Sequence, residues 1–169
     1  SQLFLEEGEI RTVEELLYGI AVESGNDAAV ALAEYIGGSY DSFISMMNDK
    51  ADKLSLTNTH FSTPCGLIDE NNYSTARDIA LLSYELLKHN IAYDYISKWN
   101  IELTIGKDND IPRTLTNTNK LLSTTEYVDG IKTGYTAAAG HCISATAEKN
   151  GLRLISVVLN GTDSISRFK

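Results

Sequence analysis

Hydrophobic positions along the chain follow two periods, which meet near residue 100. Residues 1–11 show neither period and read as an extended lead-in. From there Val13, Leu16, Leu17 and Ile20 recur at helical spacing. Thr12 and Glu15 form a capping box, each side chain satisfying a free N–H at the helix start. That helix is expected to stop near Glu23. Asn26 or Asp27 is placed to cap a second helix, with Val30, Leu32, Ala33 and Ile36 inward and Gly37-Gly38 ending it. A third helix is predicted over 41–54, burying Phe43, Met47, Ala51 and Leu54. Residues 57–72 contain Pro64, Gly66 and Asn71-Asn72 and read as turns. Thr75 and Asp78 open a fourth helix through Lys88, with Ile79, Leu82, Leu86 and Leu87 inward. A short helical turn fits 93–99.

Beyond this the period drops to two. Ile101 to Ile105 alternates as a strand does, and 106–110 is a polar turn. Val128 to Thr133 reads as a strand. Ile143 to Ala147 and Leu152 to Leu159 read as two more, joined by a hairpin at Asn150-Gly151. A last helix is expected to begin at Asp163 or Ser164. The layout is α+β: one domain over 1–169, mainly helical over 12–99 and mainly antiparallel strands over 100–169.

Composition narrows the function. At 169 residues and 43% hydrophobic, the chain can bury a core. Its net charge of -9 argues against nucleic acid, whose phosphates need clustered Lys and Arg. No basic run suits an anionic membrane, and the apolar stretches are too short to span one. The chain opens at Ser1 with no signal-peptide pattern, which suits a cytosolic protein or a mature or excised piece of an exported one. Cys65 and Cys142 read as two small buried thiols, a single disulfide being the lesser alternative. With three histidines and no Cys-x-x-Cys, neither a metal nor another cofactor is expected.

Two short motifs could carry chemistry. Ser24-Gly25-Asn26 falls between two predicted helices, where side chains can point into a cleft. Alone it is common by chance and reads equally as a helix cap. Lys132-Thr133-Gly134 is rarer and lies on a predicted strand. In this order, the two are two-thirds of the motif set of penicillin-interacting serine enzymes. The remaining third, a Ser-x-x-Lys bearing the nucleophile, does not precede them. The one match, Ser166-Arg167-Phe168-Lys169, follows Lys-Thr-Gly and is read as incidental.

Four stretches extend the likeness: Leu16 to Asn26, Asn58 to Leu67, Tyr73 to Asp78 and Val128 to Thr136. Together they resemble the serine D-alanyl-D-alanine carboxypeptidases, the low-molecular-mass penicillin-binding proteins, over nearly the whole chain. Cys65 departs from the residue usual in that family before Gly-Leu, and no functional weight is attached to it. The resemblance implies a partial β-lactamase/D,D-peptidase-like fold whose N-terminal strands and nucleophile helix are absent. It implies acyl transfer on a peptidoglycan stem peptide ending in D-Ala-D-Ala, with β-lactams as mimics. It also implies an extracytoplasmic place at the cell-wall face of a bacterial membrane.

Carried onto this sequence, the resemblance gives each residue a role. Ser24 would relay a proton toward the leaving amine. Asn26 would hold the substrate amide. Lys132 would supply positive potential for the terminal carboxylate, and Thr133 would donate to it. Gly134 would leave room for substrate along the strand edge, and the Tyr135 N–H would be one oxyanion donor. Without the nucleophile, the chain is expected to be inactive alone. It should also leave a sheet edge and an apolar face uncovered, and so self-associate or need the missing segment from another chain. Two other readings stand beside the carboxypeptidase. One is a non-catalytic module that binds stem peptide or β-lactam. The other is a β-lactamase of the same superfamily, which would need a base for deacylation. Glu126 and Asp129 lie near Lys132 in sequence but read as solvated charges.

Overall fold

The computed structural model describes residues 1–67 and 69–168. Its first half is helical: α1 (Val13–Tyr18), α2 (Asn26–Gly37), α3 (Tyr40–Lys53), α4 (Ala76–Leu86) and the short α5 (Tyr93–Ile96). Strands β1 (Asn100–Ile105) and β2 (Ile111–Thr116) pair antiparallel as a separate hairpin. A turn of helix, α6 (Leu121–Thr124), leads into the main sheet, β3 (Val128–Thr136), β4 (Gly140–Lys149) and β5 (Leu152–Gly161), in the order β3-β4-β5 and antiparallel throughout. This is the α+β arrangement expected from the two periods.

The local signals explain most element boundaries. The capping box forms: the Thr12 side chain accepts from the Glu15 N–H, while the Glu15 carboxylate accepts from the Thr12 N–H at 2.8 Å. Ser39 caps α3 and Thr75 caps α4 through the Asp78 N–H. Asn150 and Gly151 both take positive φ at the β4–β5 turn, the geometry an Asn-Gly hairpin requires.

Several expectations need correction. The first helix reaches Glu23, but its last turn, Gly19–Glu23, is π-helical. Gly25, not Asn26 or Asp27, is the N-cap of α2 and makes no side-chain cap. The Asp27 carboxylate instead accepts from the N–H groups of Leu3 (2.9 Å), Leu5 (3.0 Å) and Ala28 (2.9 Å). That ties the lead-in down, and Leu3 becomes part of the core with Leu16, Val22, Ala28, Leu32 and Leu115. Val13, Ile36 and Leu86 are exposed rather than inward, each lying in the first or last turn of its helix. Strand β2 and helix α6 lack a clear period and escaped prediction. The expected last helix is a single 3-10 turn, Ser166–Phe168, and Lys169 of the Ser-x-x-Lys match lies outside the described residues.

The two halves are joined by polar ties. Arg113 on β2 donates to the Leu3 and Gln2 carbonyls and pairs with Glu23 at 2.6 Å. The Thr118 N–H donates to the Val22 carbonyl at 3.2 Å. Ser83 on α4 meets Ser144 on β4 at 2.7 Å. Among the described residues, no helix is long and apolar enough to cross a membrane.

Candidate active site

Ser24 ends the π-turn in a left-handed conformation, φ 65° and ψ 39°. For a residue with a β-carbon this is a strained backbone, and it persists only where its surroundings enforce it. Here they do. The Gly25 N–H donates to the Gly19 carbonyl at 2.9 Å, and the Asn26 N–H donates to the Ser1 carbonyl at 3.0 Å. A β-carbon on Gly19 would press into the Leu3 side chain and crowd the Ala28 β-carbon, so a larger residue here would push the lead-in's buried leucine aside. The strain and the packing together aim Ser24 and Asn26 away from the core, into a cleft.

The facing wall is β3. Its register sets Lys132 opposite Ser144, Thr133 opposite Ile143 and Gly134 opposite Cys142. Thr133 is buried, and its hydroxyl meets that of Thr118 at 2.6 Å. The Lys132 ammonium donates to the Thr133 carbonyl at 2.9 Å. A third wall comes from the turn-rich segment, where Pro64, Cys65, Gly66 and Leu67 reach the same space. The cleft so enclosed has a volume of about 660 Å³. Ser24, Asn26, Lys132, Thr133, Gly134 and Tyr135 all line it, although the two motifs are about a hundred residues apart in sequence.

Electrostatics single the cleft out. Burial, then the nearby Arg167 charge, lowers the Lys132 pKa to about 8. Arg167 itself lines the cleft, donates to the Gly134 carbonyl at 3.2 Å, and leaves its buried Nε without a partner. Among the described residues lining the cleft there is no carboxylate. A chain of net charge -9 has therefore gathered two cations where no acid offsets them. Such a site favours an anionic group.

These features find their counterparts in known proteins. The family model for D-alanyl-D-alanine carboxypeptidases matches residues 1–163. The chain belongs to that family. It is 46% identical over 164 residues to the D-alanyl-D-alanine carboxypeptidase DacF of Bacillus subtilis, and 44% identical over 169 residues to DacC of Escherichia coli. These alignments cover 96% and 99% of this chain and 41% of each relative, so the chain spans about 41% of their length. Among solved structures, the Streptomyces K15 DD-transpeptidase superposes with a TM-score of 0.92 at 35% identity, covering 99% of this chain and 67% of that one. Penicillin binding protein 5 from Haemophilus influenzae superposes at 0.89 and 39%, covering 99% and 47%. The fold is that of the D,D-peptidases, as a partial domain.

The geometry of the site changes the reading of four residues. Arg167 was set aside with Ser166 as part of an incidental match, yet it reaches the cleft. No period or motif marks it, because a lone 3-10 turn after β5 delivers it. Asp129 is partly exposed, as a solvated charge would be, but it is also ion-paired: both its oxygens accept from Arg153 at 2.9 Å. Engaged in that way, it is no free base. Cys65 and Cys142 are unpaired and only half-buried, and both line the cleft instead of the core. Glu126 is exposed, as expected. Among the described residues, no group of three His, Cys, Asp or Glu side chains could hold a metal ion.

Proposed function

We propose that this chain serves a bacterial serine-type D-alanyl-D-alanine carboxypeptidase, as the part of its catalytic domain that carries the Ser-x-Asn and Lys-Thr-Gly walls. The observation that carries this reading is the convergence of Ser24, Asn26, Lys132 and Thr133 on one cleft that holds two cations and no carboxylate. A stem peptide ending in D-Ala-D-Ala presents a terminal carboxylate, which Lys132 and Arg167 attract and to which the Thr133 hydroxyl donates. Asn26 pairs with the backbone amide of the peptide, and Gly134 lets that peptide lie against β3. The Tyr135 N–H stabilises the developing oxyanion. Ser24 moves a proton toward the departing D-alanine amine. Penicillin, with its own carboxylate and strained amide, fits the same groups. Such a substrate places the enzyme at the cell-wall face of the membrane.

The attacking serine and its lysine are not in this chain, so it is expected to recognise without acylating. β5 is an edge strand carrying exposed Leu152 and Leu154, which supports self-association through the sheet edge. A monomer in sedimentation that binds no apolar dye would remove that part of the proposal.

The deciding experiment is the intact mass after incubation with a penicillin, with peptide mapping. The chain alone should gain nothing, and joining it to an upstream Ser-x-x-Lys segment should produce one adduct on the added serine. An adduct on Ser24 or Ser166 of the chain alone would overturn the assignment.

A further inference from the structure

Two nucleophilic side chains in the cleft have no part in the acyl transfer just described. Cys65 comes from the turn-rich segment and Cys142 from β4, and both are free and half-buried. Cys142 lies across the ladder from Gly134, which brings no side chain to shield it; a β-carbon there would stand 4.0 Å from that of Cys142. Its Sγ donates weakly to the Ala139 and Gly140 carbonyls, at 3.4 and 3.8 Å. Cys65 sits between Pro64 and Gly66, at a backbone turn where Gly66 takes φ +73°. Neither thiol is enclosed in an apolar core, where it would be inert.

Their neighbours are Lys132 and Arg167, with no acid lining the same space. Arg167 and Cys142 lie near enough for their charges to interact across the cleft. Cations lining the space around a thiol raise the local concentration of any anion that carries a reactive sulfur. We propose that Cys65 and Cys142 make the cleft a thiol-modification site, at which a small anionic disulfide or thiosulfonate attaches covalently and fills the anion position. In the reaction the thiolate attacks the sulfenyl sulfur, the new S–S bond forms, and the old one breaks. The leaving thiolate or sulfinate takes the electron pair, and the cysteine proton passes to solvent. The modifying group then occupies the space of a carboxylate ligand, a consequence that rests on the function proposed above.

The test is a charge comparison that does not depend on that function. The intact chain is labelled with a sulfonate-bearing methanethiosulfonate and, separately, with its trimethylammonium counterpart, folded and in urea. Labelling is followed by mass and mapped by peptide. Folded, the anionic reagent should be favoured on the order of tenfold over its urea ratio. Arg167→Gln should shrink that preference, added salt should screen it, and Cys65→Ser with Cys142→Ser should remove the label. One thiol labelled with this preference establishes the site and names its residue. An anionic preference no greater in the folded chain than in urea overturns the proposal, as does a folded chain that takes no label. Loss of penicillin binding after labelling would extend the result to the proposed function; its persistence would leave the thiol site intact and count against the shared anion position.

Discussion

The two principal walls of the cleft are held by different physics. On the Ser24 side, a π-turn ends in a left-handed serine, and long-range ties keep it there: Asp27 to Leu3 and Leu5, Asn26 to Ser1, Gly19 against Leu3. On the Lys132 side, an ordinary antiparallel ladder from Lys132 to Thr136 fixes the geometry. The first wall depends on five residues at the start of the chain. The second is built into a sheet and should survive damage to the first. Active sites commonly join one strained element to one regular one, because strain aims a side chain only where a rigid scaffold can oppose it.

Breaking the Asp27 clasp should therefore be the most damaging single change. Asp27→Ala leaves three N–H groups of the lead-in and α2 without their charged acceptor, a loss of about 3 kcal/mol. It should loosen the Ser24 wall selectively, so that amide exchange rises at Leu3, Leu5 and 24–28 while β3 and β4 stay protected. Uniform loss of protection would show that the walls are one unit and refute the comparison. Burial pushes the Asp27 pKa up, but its N–H donors outweigh this and hold it below the usual carboxylate value. A carboxyl with a lowered native pKa stabilises the fold above its unfolded pKa. That stability is lost as pH falls through the native pKa, so acid should release the Ser24 wall first.

Lys132 gives the same sign of pH dependence in a higher range, but here the charged form is the one the fold disfavours. Its pKa of about 8 lies below the unfolded value of 10.5, so below pH 8 both states are protonated and the fold carries the full cost of a buried charge. Between pH 8 and 10.5 the unfolded chain binds more protons, and stability rises with pH. Lys132→Met should remove that cost, stabilising the chain by up to about 3 kcal/mol at pH 7, and flatten the alkaline rise. Denaturant midpoints at pH 7 and 10 test both parts; a variant less stable than the parent at pH 7 would mean that the lysine is held for packing. The same titration predicts that a carboxylate ligand weakens as pH rises through 8.

Much of this was legible in advance, and for identifiable reasons. Helices with capping boxes and the Asn150-Gly151 hairpin were predictable because local chemistry decides them. The pairing of Ser24-Gly25-Asn26 with Lys132-Thr133-Gly134 was legible because both motifs are contiguous in sequence. What stayed hidden is set by tertiary contact alone. Asp27 looked like a helix cap until Leu3 and Leu5 came to it. β2 interrupts its alternation with Pro112, Arg113 and Thr114, and its core residue Leu115 packs against helices that no local window contains. Arg167 follows a polar turn and carries no period at all.

The third wall separates rigidity from sequence regularity. Residues 57–75 have no period, yet they are pinned twice. Asn48 on α3 holds both backbone groups of Phe61, at 2.8 and 2.9 Å, and buried Asp78 accepts from the Asn58 N–H at 3.0 Å and the Thr59 hydroxyl at 2.9 Å. Asn48→Ala should cost about 2 kcal/mol, since it strands both backbone groups of half-buried Phe61. Proteolysis should then cut within 61–67 faster, with cleavage elsewhere unchanged. If the cutting rate there does not move, Asp78 alone holds the wall.

The smallest expected effect probes the regular wall most finely. Thr133 is tied to Thr118 across 2.6 Å, one hydrogen bond between neutral hydroxyls. Thr118→Val removes it for about 1 kcal/mol, because the valine keeps the shape and the Thr133 hydroxyl still borders a cleft that water can enter. The ladder beneath is untouched, so Lys132 should keep its titration near pH 8 and the Ser24 wall its exchange protection. Either hydroxyl can be the donor of the Thr118–Thr133 bond; when Thr133 donates, a ligand that takes its proton must first displace Thr118 in the parent and need not in the variant. Carboxylate affinity should accordingly stay level or rise slightly, against the small fall in stability. A loss of affinity larger than the loss of stability would show that Thr118 orients Thr133 for the ligand, and that the sheet wall, like the serine wall, relies on a tie from outside its own ladder.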